Sequence, residues 1–572
     1  MGLAGRRRSA VLTAMAIASH LMGGRVTLTP RPARRREPVL VAALLGHLPG
    51  TVRLDRLRPA ARALMREAGF GEAVDHLESI ERPRLPSIEI ERVRALNHLP
   101  VPLTASAELD DIFPDARADD LPTDHRSLLA GSRAWLPYAV DDFFANGGER
   151  LWIVRVPAAD GRAGFLPQTA AGLAAALAIP RALDPGAATR CDELGSVAML
   201  DLTRPLELRG LATLLPIPQV ALIGAPDLER LLIPARLPDI ERVRIENPPP
   251  RFEPCGAALG DDHRERRHGT EIPARVARLP DANEPACSLT IIRRIAATLA
   301  TWRPDCQYIH SLPLAGHAAA DLPTPQPAVT AALAAERGTR RGAALKRVQL
   351  LWPYLRGPRI ALVSAVGLIT GRAAAVARTE GPWRSVAGRA LATDAAPWPP
   401  PSARLVETLR ASPGVGVLVR RGGRVELEDE RLVVPALDAD DYLPAWGTSG
   451  DVQRYDGYRA GEVVRFIGFL LRRLRALGDA LVFDIDPRDP RPRLLLEDLC
   501  RGLHAAGALR GALPEEGFHI REGAAAAGAV AWDIELAPAF PIDRLRLTFA
   551  NRDGEWQAGL LQERIGAGVL NG

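Results

Sequence analysis

The sequence predicts a multidomain protein of mixed α/β and α+β class. Three observations predict it. The chain has 572 residues, enough to bury more than one core, so roughly two to four domains are expected. Tyr138–Val156 reads as helix, glycine stop and apolar strand in immediate succession, the repeating unit of an α/β sheet. Val220–Asp227 (VALIGAPD) reads as another buried strand, and the C-terminal part alternates helices with short strands.

Composition narrows the function classes. A hydrophobic fraction of 47% and a charged fraction of 25% describe a soluble globular chain. The net charge of +5 is small for this length, and no basic stretch is studded with aromatics, so no nucleic-acid partner is expected. Lys346 is the only lysine beside many arginines. Five scattered cysteines (Cys191, Cys255, Cys287, Cys306, Cys500) lack metal-ligand spacing and suit a reducing compartment. Arg6-Arg7-Arg8 before the apolar Ala10–Met22 has the outline of an export signal without a small-x-small cleavage site, and Met15 and Met22 offer later starts. No later apolar run approaches the roughly 20 residues of a membrane span, so no direct membrane anchoring is expected.

Taken in order, Arg25–Pro30 and Val39–Leu45 are short candidate strands, and Ala60–Ser79 is one or two short helices broken at Gly69 and Gly71. Ser87–Glu91 alternates like a half-wet strand, Val101–Ser106 follows, and Glu108–Phe113 is a short helix. Asp115–Leu128 is a polar loop. In Tyr138–Val156 the helix places Val140, Phe143 and Phe144 on one side and turns Asp141 and Asp142 away. Asn146-Gly147-Gly148 stops it, and Leu151–Val156 is the strand.

Thr169–Ile179 is an Ala/Leu helix, Val197–Leu202 a strand, Leu208–Leu215 a helix and Val220–Asp227 the buried strand. Residues 229–285 are rich in Pro, Arg and Glu and read as a variable surface insertion. Leu289–Trp302 is a helix, Tyr308–Leu314 a strand, Ala328–Glu336 helical and Gly342–Tyr354 mixed. Trp398-Pro399-Pro400-Pro401 reads as a linker, followed by a hairpin of Val415–Val419 and Arg424–Val434 around Arg421-Gly422-Gly423. Val463–Leu477 is an amphipathic Arg-rich helix, Ala480–Asp486 a strand, Arg493–Ala506 a helix, and Leu545–Phe549 a closing strand.

Candidate chemistry is sparse. Asp227 ends a buried strand, where α/β proteins place ligand-binding carboxylates, but no nucleophile or base accompanies it and a helix-capping role fits better. His263 and His268 in DDHRERRHGT have a metal reading, yet their charged flanks describe a solvated loop. Ser364 in LVSAVG lacks the first glycine of a nucleophile elbow and reads as a buried strand serine. Asp484 and Asp486 share one strand face, as solvated strand-end carboxylates do. There is no HExxH and no phosphate-cradling glycine loop. The expectation is therefore no catalytic residues, no cofactor and no metal.

Several of these segments carry a family resemblance. Tyr138-Ala139-Val140, Phe143-Phe144, Asn146-Gly147-Gly148 and Val154-Arg155-Val156 resemble the helix–loop–strand of contractile tail sheath proteins, roughly YAVRGFFENGG-x-x-x-YVVRV. Gly210-Leu211-Ala212 and Ala225-Pro226-Asp227-Leu228 resemble their GLAALE…PDL. Gly371, Ala374, Val376, Ala377, Arg378 and Thr379 resemble SGHVAGVYARTD. Gly507–Gly511 matches GALxG, Pro514–Ile520 resembles PEEAFFV, and Asp533–Pro538 with Pro541 resembles IGLAPxxPAEF. The chain departs from the family at its opening PGVYIEE and at GVHKAPAN, where it has WRSVAGRA (Trp383–Ala390).

The resemblance implies a subtilisin-like α/β middle domain, without a catalytic triad, plus a C-terminal α+β sheath domain. It divides the chain into an N-terminal extension and linking arm (1–84), a sheath α/β region (85–396) with its insertion near 229–285, a C-terminal sheath domain (397–552) and a C-terminal arm (553–572). It implies a structural subunit of a contractile sheath around an inner tube, in a phage tail-like or injection particle assembled in the cytoplasm. Its partners would be its own copies in a ring or helix, the tube protein, and baseplate and cap proteins. Two other functions compete: a non-contracting sheath-like accessory subunit at a baseplate or cap, and an α/β hydrolase-like enzyme.

Overall fold

The structure, a computed structural model, describes residues 38–81, 92–119, 121, 130–178, 200–233, 242–244, 271–273, 283–315, 324–325, 327–336, 339–411, 414–434, 459–481, 490–523, 530–539, 545–552 and 555–560. All belong to one unit, residues 38–572.

Nine strands form the main sheet: β1 (Val41–Gly46), β2 (Pro100–Leu103), β3 (Leu151–Arg155), β4 (Val220–Gly224), β5 (Gln307–Ser311), β6 (Val348–Trp352), β7 (Ala390–Leu391), β8 (Gly416–Arg421) and β9 (Arg424–Leu427). Their order is β7-β9-β8-β6-β5-β4-β1-β3-β2. The strands from β8 to β3 run parallel, and antiparallel β2 closes one edge while β9 and β7 close the other. β1, β3, β4, β5 and β6 are buried along their whole length, and β1, β3 and β4 accordingly read as nearly continuous apolar runs. From β1 the chain first adds β3 on one side, then β4 and its successors on the other. The order therefore reverses between β1 and β4, the switch point of a doubly wound sheet.

The helices α1 (Leu136–Ala145), α2 (Pro226–Leu231), α3 (Asn283–Trp302) and α4 (Val366–Thr379) belong to this body. α1 and α4 pack on each other and on β1. α5 (Gly461–Leu481) and α6 (Arg491–Ala505) lead into a second, four-stranded antiparallel sheet of β10 (Phe518–Glu522), β11 (Val530–Leu536), β12 (Leu545–Arg552) and β13 (Glu555–Leu560), paired in chain order. This sheet has its own core, in which Phe549 and Trp556 stack at 4.6 Å and Trp532 lies 5.7 Å from Trp556. The α/β and α+β class is thus present in one chain.

Several segments differ from the sequence reading. Val39–Leu45 was a candidate strand in the region assigned to the N-terminal extension and linking arm, whereas Val41–Gly46 is an internal strand paired on both sides within this chain. Its unbroken apolar run has the length of an arm and the burial of a core strand. Ala480 and Leu481 close α5 instead of opening a strand, and the rest of Ala480–Asp486 lies outside the described residues. Leu208–Leu215 is a two-residue strand and a 3-10 turn, because Gly210 takes φ 57° and interrupts any helix there. Leu200–Leu202, the described end of Val197–Leu202, is irregular. The hairpin around Gly422-Gly423 forms as read, but on the main sheet. Trp398 ends a short strand, Ala396–Trp398, paired with Tyr354–Arg356, so it is tied to the body. β13 follows the strand expected to close the C-terminal sheet. Arg25–Pro30 and Ser87–Glu91 lie outside the described residues.

Candidate functional site

The switch point is where a doubly wound sheet takes its ligand, at the carboxyl ends of the strands. β1 ends there at Gly46 and β4 at Gly224, and α1 begins above them. The first N–H groups of a helix lack intrahelical partners and carry the positive end of its dipole. In this protein Asp227 answers them. Its buried carboxylate accepts hydrogen bonds from the backbone N–H of Trp135 (2.8 Å), Leu136 (2.9 Å) and His47 (3.0 Å). Gly46 is required beside it, since a β-carbon there would lie 2.5 Å from Asp227 Oδ2 and 2.4 Å from Leu136 Cβ. The chain's own carboxylate therefore occupies the place an anionic ligand takes at a helix N-terminus. His47 Nδ1–H donates to the Val156 carbonyl at 2.9 Å, and burial lowers its pKa, so the ring is held neutral.

A second polar group lies beneath. Glu229 follows Asp227 on α2, and its Oε1 accepts the Ser311 N–H at 2.8 Å. Complete burial raises its carboxyl to about 8, which keeps it protonated near neutrality. His310 is equally buried, and desolvation lowers it to about 3. The Tyr308 hydroxyl and His310 Nδ1 are 3.2 Å apart, while Glu229 Oε1 stands 3.6 Å from that nitrogen, beyond hydrogen-bond reach. Ser364 is buried as expected. It lies in the turn before α4, not in a strand, where its Oγ accepts the Val366 N–H at 3.1 Å and meets Ser311 Oγ at 3.3 Å. Serine, histidine and glutamate are thus neighbours, but Ser364 and Glu229 hold the backbone at the start of α4 and the end of β5, His310 meets the Tyr308 hydroxyl, and both titratable groups are neutral.

A third set of charges sits on α5. Arg465 grips Glu430 with both guanidinium nitrogens, at 2.5 and 2.7 Å. Glu430 also accepts from Ser385 Oγ and the Val386 N–H, each at 2.8 Å. Burial alone would raise the Glu430 carboxyl, but the Arg465 charge and these hydrogen bonds hold it below its usual value. One turn and more along, Arg472 Nη1 donates to the Asp305 carbonyl at 2.6 Å and Arg475 Nη1 to Asp305 Oδ1 at 3.2 Å. Asp305 also pairs with Arg303 at 2.8 Å, and these arginines overcome its burial to lower its pKa. Two glycines bring α5 close to both sheets. A β-carbon on Gly468 would lie 2.3 Å from the Asp305 carbonyl oxygen, and one on Gly478 would lie 2.4 Å from Trp556 Cβ. The arginines that read as an amphipathic surface are ties between the main body and the C-terminal sheet.

Of the residues the sequence singled out, Asp227 and Ser364 come together with Glu229, Ser311 and His310, while His263, His268, Asp484 and Asp486 lie outside the described residues. Asp142, read as turned away, is buried, with Arg359 Nη2 donating to Oδ1 at 3.2 Å. Desolvation raises it to about 7. Glu229 was missed although it stands two residues from Asp227, because 229–285 read as a surface insertion, whereas Glu229 and Arg230 continue α2 and are buried. Among the described residues no group of His, Cys, Asp or Glu could hold a metal ion, and no helix is long and apolar enough to cross a membrane. Among the described strands β10 pairs with β11 alone.

No protein-family profile and no curated protein matches the chain. Among solved structures it is similar to a chain of the anti-feeding prophage (AFP) baseplate, with 13% identity, 92% of this chain and 97% of that chain covered, and a TM-score of 0.45. It is similar to the AFP helical sheath in its contracted state, at 12% identity, 92% and 98% coverage and a TM-score of 0.44. The sheath complex of an extracellular contractile injection system (PVC), also contracted, gives 11% identity, 92% and 97% coverage and a TM-score of 0.43. The chain thus resembles components of contractile sheaths and injection particles, as a divergent sequence.

Proposed function

We propose that the chain is a structural subunit of a contractile sheath surrounding an inner tube in a phage tail-like or injection particle. The observation that supports this most is the meeting of three family-like sequence islands at one seam. Tyr138–Val156 supplies α1 and β3, Ala225–Leu228 supplies the carboxylate that caps α1, and Gly367–Thr379 supplies the helix packed on it. These islands are far apart in sequence, and motifs that agree by chance have no reason to touch.

In this reading the nine-stranded body corresponds to the subtilisin-like domain and serves as a scaffold, not an enzyme. Inside it Ser364 Oγ accepts the Val366 N–H, and His310 Nδ1 meets the Tyr308 hydroxyl, with no hydrogen bond from His310 to Glu229. β10, which among the described strands pairs with β11 alone, begins in the island resembling PEEAFFV and suits strand addition by a neighbouring subunit. The linking arms then lie before Val41 and after Leu560, a narrower assignment than 1–84 and 553–572, since β1 and β13 are strands of this chain's own sheets. Partners are further copies in an open helical array, the tube protein, and baseplate and cap proteins. Assembly takes place in the cytoplasm.

The test is negative-stain electron microscopy of the purified protein, alone and with its candidate tube partner. Striated cylinders or stacked rings are the expected result. Monodisperse monomers under both conditions would replace the sheath reading with the accessory baseplate or cap subunit. Turnover of an ester or peptide substrate that is lost in Ser364→Ala would replace it with the hydrolase.

A further inference from the structure

A cleft of about 330 Å³ opens beside the carboxyl end of β3, lined by Glu72, His76, Arg94, Asn97, His98 and Arg209 among others. Asn97 bridges to Arg155 at that strand end, and the His98 N–H donates to the Arg155 carbonyl at 2.8 Å. The cleft therefore lies outside the carboxyl ends of the parallel strands, two strands from β4, on the side where such sheets take ligands.

His98 is the one non-glycine residue with positive φ among the described residues, at 54°. A side chain persists there only when its surroundings hold it. The Gly210 N–H donates to His98 Nδ1 at 3.2 Å, so Nδ1 carries no proton and Nε2–H donates to Asp160 at 2.7 Å. Both ring nitrogens are committed. The imidazole is a brace, not an acid or base, and it pins the backbone at Gly210, next to Arg209.

The remaining polar groups are less committed. The Arg94 side chain is exposed and makes no ion pair or hydrogen bond among the described residues. Arg209 engages through Nη1 alone, on the Leu206 and Leu208 carbonyls. Asn97 Oδ1 is buried and accepts no hydrogen bond among the described residues. Two guanidinium groups suit an anion, and an amide oxygen suits a donor.

We propose that this cleft binds a small oxyanion that carries its own hydrogen-bond donor. Arg94 and Arg209 hold the anionic oxygens, and Asn97 Oδ1 accepts from the donor. Hydrogen phosphate and hydroxy-carboxylates have this chemistry, whereas sulfate and simple dicarboxylates have the charge without the donor. Glu72 on the same rim repels additional negative charge. The proposal is independent of the sheath reading.

Isothermal titration calorimetry of the full chain tests it with two matched pairs, phosphate against sulfate and malate against succinate, at neutral pH. Phosphate or malate is expected to bind, and whichever does names the class. Its donor-free analogue should bind about tenfold more weakly, the effect of one buried hydrogen bond. Arg94→Gln, a surface change that leaves the fold intact by circular dichroism, should weaken binding by about tenfold. Asn97→Leu should abolish discrimination within the pair. No binding of phosphate or malate at millimolar concentration would overturn the proposal. So would equal affinity for both members of a pair, or an Arg94→Gln protein that binds as well as the parent.

Discussion

Gly371 of α4 sits so close to Phe143 of α1 that a β-carbon on it would lie 2.2 Å from the Phe143 carbonyl oxygen. One turn earlier, a β-carbon on Gly367 would lie 2.3 Å from the Ala139 carbonyl oxygen. The two glycines are four residues apart on one face of α4, and their contacts are four apart on α1. The seam is therefore backbone against backbone, closer than side chains allow.

From this follows the first prediction. Gly371→Ala gains helix propensity of about 1 kcal/mol in an isolated helix. Here the added methyl meets a backbone carbonyl that cannot swing aside, so the net effect should be a loss of about 1–3 kcal/mol. Urea denaturation measures it. A Gly371→Ala protein as stable as the parent would show that the helices separate without cost.

Asp227 holds three backbone N–H groups at one buried point. Asp227→Ala leaves all three without their acceptor, at about 1–3 kcal/mol for each group left unsatisfied. A total loss of roughly 3 kcal/mol or more is expected, with Asp227→Asn intermediate because its amide keeps a single acceptor oxygen. Chemical denaturation of the three proteins should rank them parent, Asn, Ala, and any other order refutes the capping role.

Buried carboxyls give a pH signature whose sign can be worked out. Glu229 is raised from 4.5 to about 8 and Asp142 from 3.8 to about 7, both first by desolvation. The folded state keeps protons that the unfolded chain has released in these windows. Each group's stabilisation is complete below its unfolded value and is lost as pH rises, by about 1.4 kcal/mol per unit, until its folded value is passed. Glu430 and Asp305, held below their usual values by arginines, act in the opposite direction and lose their contribution as pH falls. Buried His47 and His310, lowered from 6.5, act in that same opposite direction below 6.5, so thermal unfolding should show stability falling from pH 6.5 to pH 8. Glu229→Gln should flatten that slope, and an unchanged slope would mean that Glu229 ionises freely in the fold.

The parts of this fold that were legible in the sequence are those fixed by local chemistry. α1 and β3 were readable because Asn146-Gly147-Gly148 stops the helix and an apolar run follows, and the hairpin at Gly422-Gly423 because both glycines adopt positive φ, at 54° and 80°. Val41–Gly46 was not placed, because an apolar hexapeptide carries no mark of whether its partners belong to its own chain. Asp142 was misplaced because helical periodicity assigns polar residues to solvent, and only the fold brings Arg359 across to it. Glu229, His310 and Ser311 become neighbours only when α2 and β5 meet, so no spacing announces the cluster. The cap on α1 was half legible: Asp227 could be read as a cap, but not which helix, distant in sequence, it would cap.

Arg465 and Glu430 provide the last prediction. Both are buried, and their bidentate pair joins α5 to the end of the main body. Removing one partner strands the other charge, so Arg465→Met should cost about 3–5 kcal/mol. The double variant Arg465→Met with Glu430→Gln removes both charges and should recover part of that loss, because the amide can still accept from Ser385 and Val386. The location of the damage is also expected. α5 touches Asp305 through Gly468 and Trp556 through Gly478, so loosening its first turns should free the C-terminal sheet before the main sheet opens. Hydrogen exchange followed by mass spectrometry reads this directly. In Arg465→Met, protection should fall first across β10 to β13, with β1, β4 and β5 retained. Uniform loss of protection across both sheets would mean that α5 is not a separable tie and that the two cores unfold as one.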